Sequence, residues 1–317
     1  MAVEEAATRS YGEAVSHLRR QHEIRLGKEL LEQVTTVVGR FWLAQERASW
    51  EAFQQNHQPP AAEVSGVRQC LVFADGVMVH TDGAWHEARV GTVRSDLADG
   101  SSVKSSTVRL GSLEEFGQEL WRKAWQRGYG EAPLRAFLAD GSHWLWSLAE
   151  TRFPGAVQIL DYWHLSEHVS GCAAEFFGEG AVAAKAWRDT VLGHLWEGRP
   201  EQAFALVETL AARSKGRRQA KHDLVTYLHN NRGRMDYPRY RALGLPCGSG
   251  EVEAQCKTLV QARCKQSGMR WSRAGVEELL RVRCAVKDGS FTRQFGRWPE
   301  NLLAWQARSQ RQRQNAA

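Results

Sequence analysis

Gln69-Cys-Leu-Val-Phe-Ala-Asp-Gly-Val-Met-Val-His80 is followed at once by Thr81-Asp82-Gly83. The alternation predicts a strand over 69–80, and the Asp-Gly pair supplies a hairpin turn. Outward from it, Trp85 to Val93 reads as a second strand and Val103 to Leu110 as a third. A helix over 112–128 leads to a short buried strand, Leu134 to Ala139. A helix over 142–152 leads to another, Ala156 to Leu160, which runs into a helix from about 162. Three consecutive strands followed by strand–helix units predict an α/β class with a mixed α+β sheet.

On the carboxyl side, 165 to about 243 reads as wholly helical. Breaks are expected at Gly178-Glu-Gly180, Gly198-Arg-Pro200 and Gly216. A helix over about 249–266 and another to about 287 precede an Arg- and Gln-rich tail. On the amino side, Ser10-Tyr-Gly-Glu13 has the spacing of a capping box. A second helix follows a polar break, and a third runs over about 41–55. His57-Gln-Pro-Pro60 opens the clearest linker. The expected organisation is therefore a helical segment 1–57, a linker 58–68, and the first part of a core over 69–164. A helical insertion 165–247, the rest of the core over 248–290, and a basic tail 291–317 complete it. Two short N-terminal helices joined by a tight polar turn suit either a helix-turn-helix or a packing hairpin. Glu29 and Glu32 make the second helix unattractive to phosphate.

Forty-two Lys and Arg against thirty-six Asp and Glu give a net charge of +6 over 317 residues, which permits a polyanionic partner without requiring one. The 43% hydrophobic content excludes wholesale disorder, and no apolar run is long enough to span a membrane. The opening MAVEEAATRS does not read as a signal peptide. Six cysteines, with no CxxC pair, resemble neither a disulfide framework nor a zinc site. A cytoplasmic protein is expected.

The chemistry resides in acids placed where a sheet should be apolar. Asp75 shares a face with Leu71, Phe73, Val77 and Val79, where a carboxylate is costly unless paired or metal-bound; the competing reading makes Ala74-Asp75-Gly76 a turn. Asp140 ends a strand, where side chains project into the crevice that α/β sheets use for ligands; alternatively it caps the next helix. Asp99-Gly100 repeats the same Leu-Ala-Asp-Gly letters with no strand expected before it. In Gly248-Ser-Gly-Glu-Val-Glu253-Ala-Gln-Cys-Lys257, Ser249 reads as an N-cap. Val252, Cys256, Leu259, Val260 and Cys264 define a buried face. Glu253 lies near its edge and Glu251 on the far side, so Glu253 is the preferred ligand over a mere ion pair with Lys257. Three such carboxylates suit two Mg²⁺ ions, which take oxygen ligands and can hold the attacking and leaving oxygens of an in-line phosphoryl displacement.

These residues resemble a known family. Phe73-Ala-Asp75-Gly-Val-Met-Val, with Gly83 and Trp85-His-Glu87, looks like the first-aspartate region of bacterial insertion-sequence transposases of the ISKra type. Leu138-Ala-Asp140-Gly with Trp144 looks like their second-aspartate region. Asp161-Tyr-Trp-His164 resembles the Asp-x-x-His signature shared with Mutator-like transposases. Ser249 to Lys257, then Ser267-Gly-Met-Arg-Trp271, resembles the glutamate region. The resemblance covers roughly 70–288. It implies an RNase H-like core with an all-helical insertion before the glutamate and an Asp75–Asp140–Glu253 catalytic triad. It also implies Mg²⁺ (or Mn²⁺), double-stranded DNA as partner, and strand cleavage followed by transfer. It places Asp161 and His164 beside the site, although a cap and a partly buried histidine explain them equally.

Two features depart from that family: its members usually carry a longer N-terminal portion, and often an apolar residue where Glu251 stands. Arg217, Arg218 and Lys221 on the insertion, and Lys257, Lys265 and Arg270 beside the glutamate helix, are the expected phosphate contacts. A solvated helix face is the plain alternative for them. Trp271 suits either base stacking or the core. The expectation is a DNA transposase acting as a homo-oligomer on DNA at the bacterial nucleoid. Its rivals are another RNase H-like DNA nuclease and a shortened, non-catalytic DNA-binding repressor.

Overall fold

The computed structural model describes residues 1–295. About 59% of the described residues are helical, and the strands form a five-stranded mixed sheet. Helices α1 (Ala2–Thr8), α2 (Tyr11–His22) and α3 (Lys28–Asn56) precede β1 (Val67–Thr81), β2 (Ala84–Leu97) and β3 (Ser102–Arg109). Then come α4 (Leu113–Gln126), β4 (Leu134–Ala139), α5 (His143–Arg152), β5 (Val157–Leu160) and α6 (Tyr162–Phe177). Helices α7 (Val182–Trp196), α8 (Pro200–Glu208), α9 (Lys215–Asn231) and α10 (Tyr237–Ala242) form the helical stretch. Next, α11 (Gly250–Gln255) passes into a π-helical segment (Cys256–Gln261) and α12 (Ala262–Cys264). Helices α13 (Arg273–Lys287) and α14 (Ser290–Phe295) follow. Sheet order is β3-β2-β1-β4-β5. β2 and β3 are antiparallel, from Arg89 opposite Arg109 to Asp96 opposite Ser102. β4 and β5 are parallel, with Ala139 opposite Leu160. The predicted mixed α/β class therefore holds.

Asp82 and Gly83 take the left-handed backbone, with φ of 51° and 81°, as a tight hairpin between right-twisted strands requires. The Ser10–Glu13 capping box is formed in full.

The chain divides into two compact units. One comprises residues 1–70, 75–132 and 252 onward; the other comprises 71–74 and 133–251. In the first, α3 packs on α13. Gly39 makes this possible, because a Cβ there would lie 2.7 Å from the Glu278 carbonyl carbon. Val38, Phe41 and Trp42 join Val282, Ala285 and Phe291 in one apolar cluster; Tyr11, Ala14, Leu18 and Leu31 form another. Glu46 is buried and bonded to Arg109 and Arg281, with Arg122 at 3.7 Å. Burial alone would raise its pKa, but the three guanidiniums hold it far below the carboxylate range. Arg283, also buried, donates to the carbonyls of Leu259 (2.8 Å) and Thr258 (2.6 Å) in the π-helical segment. Burial lowers its pKa to about 10. In the second unit, α6 packs on α7 and α9. The Tyr237 and Tyr240 hydroxyls donate to the carbonyls of Leu160 and Gln158, each at 3.1 Å, which ties β5 to α10.

Several local expectations need correction. The second and third N-terminal helices are one 29-residue helix, α3, and its buried face is committed to α13. Helix α1 falls within the expected helical segment 1–57, ahead of the first helix singled out there. Strand β2 reaches Leu97, so Asp99-Gly100 does follow a strand and closes the β2–β3 turn. Gly216 lies inside α9 rather than at a break; Ser214 caps that helix. The tail begins with a helix, α14, and the rest of 291–317 lies outside the described residues.

Candidate functional site

In the first unit, Asp75 lies within β1, not in a turn. It is half-buried, next to the fully buried Cys70–Ala74 run. Its Oδ1 accepts from the Gly76 amide (2.7 Å), and its Oδ2 accepts from the Cys256 thiol (3.6 Å). Cys256 follows Glu253 by one helical turn. Its pKa is raised first by burial, then by Asp75, then by Glu253. The thiol therefore sits in the field of both predicted acids of this unit. Val252, Cys256, Leu259, Val260 and Cys264 are buried, as the periodicity requires. Glu251 is half-buried, not on a solvent face: the two glutamates are less distinct in exposure than a regular helix predicts.

In the second unit, Asp140 directly follows β4. Its Oδ1 accepts from the Ser142 amide (2.7 Å) and its Oδ2 from the Ser142 hydroxyl (3.0 Å), so it also shapes the turn into α5. The Tyr227 hydroxyl donates to its backbone carbonyl at 2.7 Å. Gly141, with φ of 104°, leaves room for this ring: a Cβ there would come within 2.8 Å of it. His168 stacks on Tyr227 at 3.8 Å.

Asp161 follows β5, and its amide donates to the Ala139 carbonyl at 2.8 Å. Its side chain is wholly buried. Oδ1 accepts from the Trp163 amide (2.7 Å), capping α6. Oδ2 accepts from His164 Nδ1 (3.0 Å), the Ser249 amide (3.1 Å) and the Ser249 hydroxyl. Burial pushes its pKa up, but the bonds from His164, Ser249 and the Trp163 amide prevail and hold it below the ordinary carboxylate value. The bond to Asp161 fixes the His164 ring through Nδ1. Burial lowers the pKa of His168, and His164 lowers it further against a raising effect from Asp140. Burial raises that of Tyr227, reinforced by Asp140 and Asp161. This unit thus gathers Asp140, Asp161, His164, His168, Tyr227 and Ser249.

Sequence reading did not single out Tyr227, His168 or the tie of Ser249 to Asp161. His168 had a signal, lying four residues after His164 on one helix face. The other two depend on contacts 87 and 88 residues apart in the chain.

The expected phosphate contacts separate into two groups. Arg217 donates to the carbonyls of Glu175 (3.3 Å) and Phe176 (3.0 Å), and Lys221 to that of Glu208 (2.7 Å), so both cap helix ends. Arg218 reaches the Arg213 carbonyl at 3.3 Å. Lys257, Lys265 and Arg270 are exposed, with no ion-pair partner among the described residues. The Trp271 ring packs against the Tyr11 cluster, beneath the buried Arg263 guanidinium at 5.0 Å; this is the core alternative. Comparison with protein-family models and with curated proteins returns no match.

Proposed function

We propose that the chain is a DNA transposase of an insertion sequence, an RNase H-like polynucleotidyl transferase that cleaves element ends and joins them to target DNA. The observation carrying this reading is that the neighbouring strands β1 and β4 each bring an acid to the sheet: Asp75 within β1 and Asp140 at the end of β4. Glu253 follows on α11 after a long helical stretch. The hairpin-linked β1–β3 and the parallel β4–β5 pair support the same core.

Asp75, Asp140 and Glu253 offer only carboxylate oxygens, a donor set that fits Mg²⁺. Two bound Mg²⁺ ions would supply charge neutralisation for the attacking and leaving oxygens. In the first step water attacks a phosphodiester at the element end, the P–O3′ bond breaks, and a free 3′-OH and a 5′-phosphate result. In the second that 3′-OH attacks a target phosphodiester and displaces the target strand's own 3′-oxygen. His164, oriented by Asp161, contacts the scissile phosphate or orients the attacking water. Lys257, Lys265 and Arg270 attract the DNA backbone without reading its sequence. Homo-oligomerisation on DNA, to bring two ends together, belongs to the same reading.

The test is Mg²⁺- or Mn²⁺-dependent nicking of DNA bearing the sequences that flank the gene, wild type beside Asp140→Asn. Nicks at the element ends that vanish in the variant support the proposal. A wild type that binds this DNA but never nicks it, with either metal, refutes it.

A further inference from the structure

The β1–β2 hairpin carries an indole on its outer surface. Trp85 is 61% exposed and Met78 45%, among large apolar side chains that are otherwise mostly buried. His80 meets Trp85 at a steep angle with 5.4 Å between ring centroids, and Lys265 Nζ lies over one face of the indole, 5.8 Å from its centroid. The tip is clamped. The Asp82 amide donates to the Trp271 carbonyl at 3.0 Å, and the Arg273 amide donates to Asp82 Oδ2 at 3.0 Å. The indole is therefore presented from a fixed turn, beside the segment bearing the exposed Lys265 and Arg270. The nearby acids are occupied: Asp82 by the Arg273 amide, and Glu87 by Arg89 at 3.3 Å.

We propose that the face of Trp85 turned away from Lys265 is a stacking platform for an unpaired nucleobase of a DNA strand, with a neighbouring phosphate of that strand held at Lys265. An aromatic face stacks on any base, and a cation beside it meets the backbone charge; together these are what single-stranded nucleic acid binds. A protein partner is the poorer match, because the cores of such interfaces are depleted in lysine. The inference rests on the DNA-handling reading above and adds a preference for unpaired over fully paired ends.

Two duplexes of one sequence test it, one blunt and one with a short 3′ overhang containing 5-iododeoxyuridine. Both are bound at one salt concentration to the wild-type chain and to Trp85→Ala, Trp85→Phe and Lys265→Gln. Wild type should prefer the tailed duplex and photo-crosslink to the peptide bearing Trp85. Trp85→Ala should lose about tenfold in affinity for the tailed duplex and little for the blunt one, while Trp85→Phe keeps most of the preference. Equal preference in wild type and Trp85→Ala, or a crosslink elsewhere, overturns the platform alone if wild type still nicks DNA with metal. Unchanged DNA affinity with a smaller sedimenting species in Trp85→Ala makes the face a protein interface and also overturns it. A wild-type chain that binds neither duplex removes the transposase reading and the platform together.

Discussion

The ends of β4 and β5 occupy equivalent places on two parallel strands, and each is followed by an aspartate; the two aspartates are used differently. Asp161 is wholly buried and takes four donors: Oδ1 accepts from the Trp163 amide, and Oδ2 accepts from His164 and from the amide and hydroxyl of Ser249, 88 residues away, so Oδ2 is already fully used. Asp140 is half-buried and served through its side chain by Ser142, two residues away in its own turn. An acid at a strand end is thus not by itself a ligand. What distinguishes the two is whether the surrounding chain has already used the oxygens.

The sharpest division concerns activity. Asp140→Asn should abolish metal-dependent nicking while leaving stability within about 1 kcal/mol of wild type, because an amide oxygen still serves the Ser142 turn; urea denaturation beside the nicking assay checks both. Next in size, Asp161→Ala should cost about 3 kcal/mol in the same denaturation experiment, since it strands Ser249, the Trp163 amide and His164 without an acceptor. An Asp161→Ala chain as stable as wild type would break the comparison.

Acid sharpens it further. A depressed folded pKa means that Asp161 contributes stability above its unfolded value near 3.9, which is lost as pH falls through the folded value. The gap between wild type and Asp161→Asn should therefore narrow as pH drops below about 4. Smaller still, Ser249→Ala should cost about 1–2 kcal/mol, and Ser142→Ala about 0.5–1 kcal/mol, by thermal unfolding. The reverse ranking would mean that the β4 turn, not the β5 one, is the structural anchor.

Much of the fold was legible because it is written locally. Asp82-Gly83 needs only its own backbone to make a hairpin, Ser10 and Glu13 cap each other across three residues, and Leu134–Ala139 is a strand end to end. The failures share a different origin. The division expected between the second and third helices is absent, and Gly39 lies inside α3 where it crosses the Glu278 backbone, a contact 239 residues away in sequence. Glu46, on the same helix, is buried among arginines from three other parts of the chain. The acids could be recognised as out of place, whereas their partners, Cys256 for Asp75 and Ser249 for Asp161, arrive only through tertiary packing. The bonds of the surface cations are equally hidden: Arg217 and Lys221 cap carbonyls of other helices, which no charge pattern reveals.

The π-helical segment after Glu253 bears on how this chain tolerates changes in length. Its carbonyls at Thr258 and Leu259 act as a neutral counter-ion for Arg283. Deleting one exposed residue there, Lys257 or Thr258, would let the segment wind as an ordinary α-helix. The shortened helix would satisfy its own backbone and leave the guanidinium without acceptors. A deletion that makes the secondary structure more regular should therefore make the protein less stable, unless Arg283 is replaced by an uncharged side chain in the same molecule.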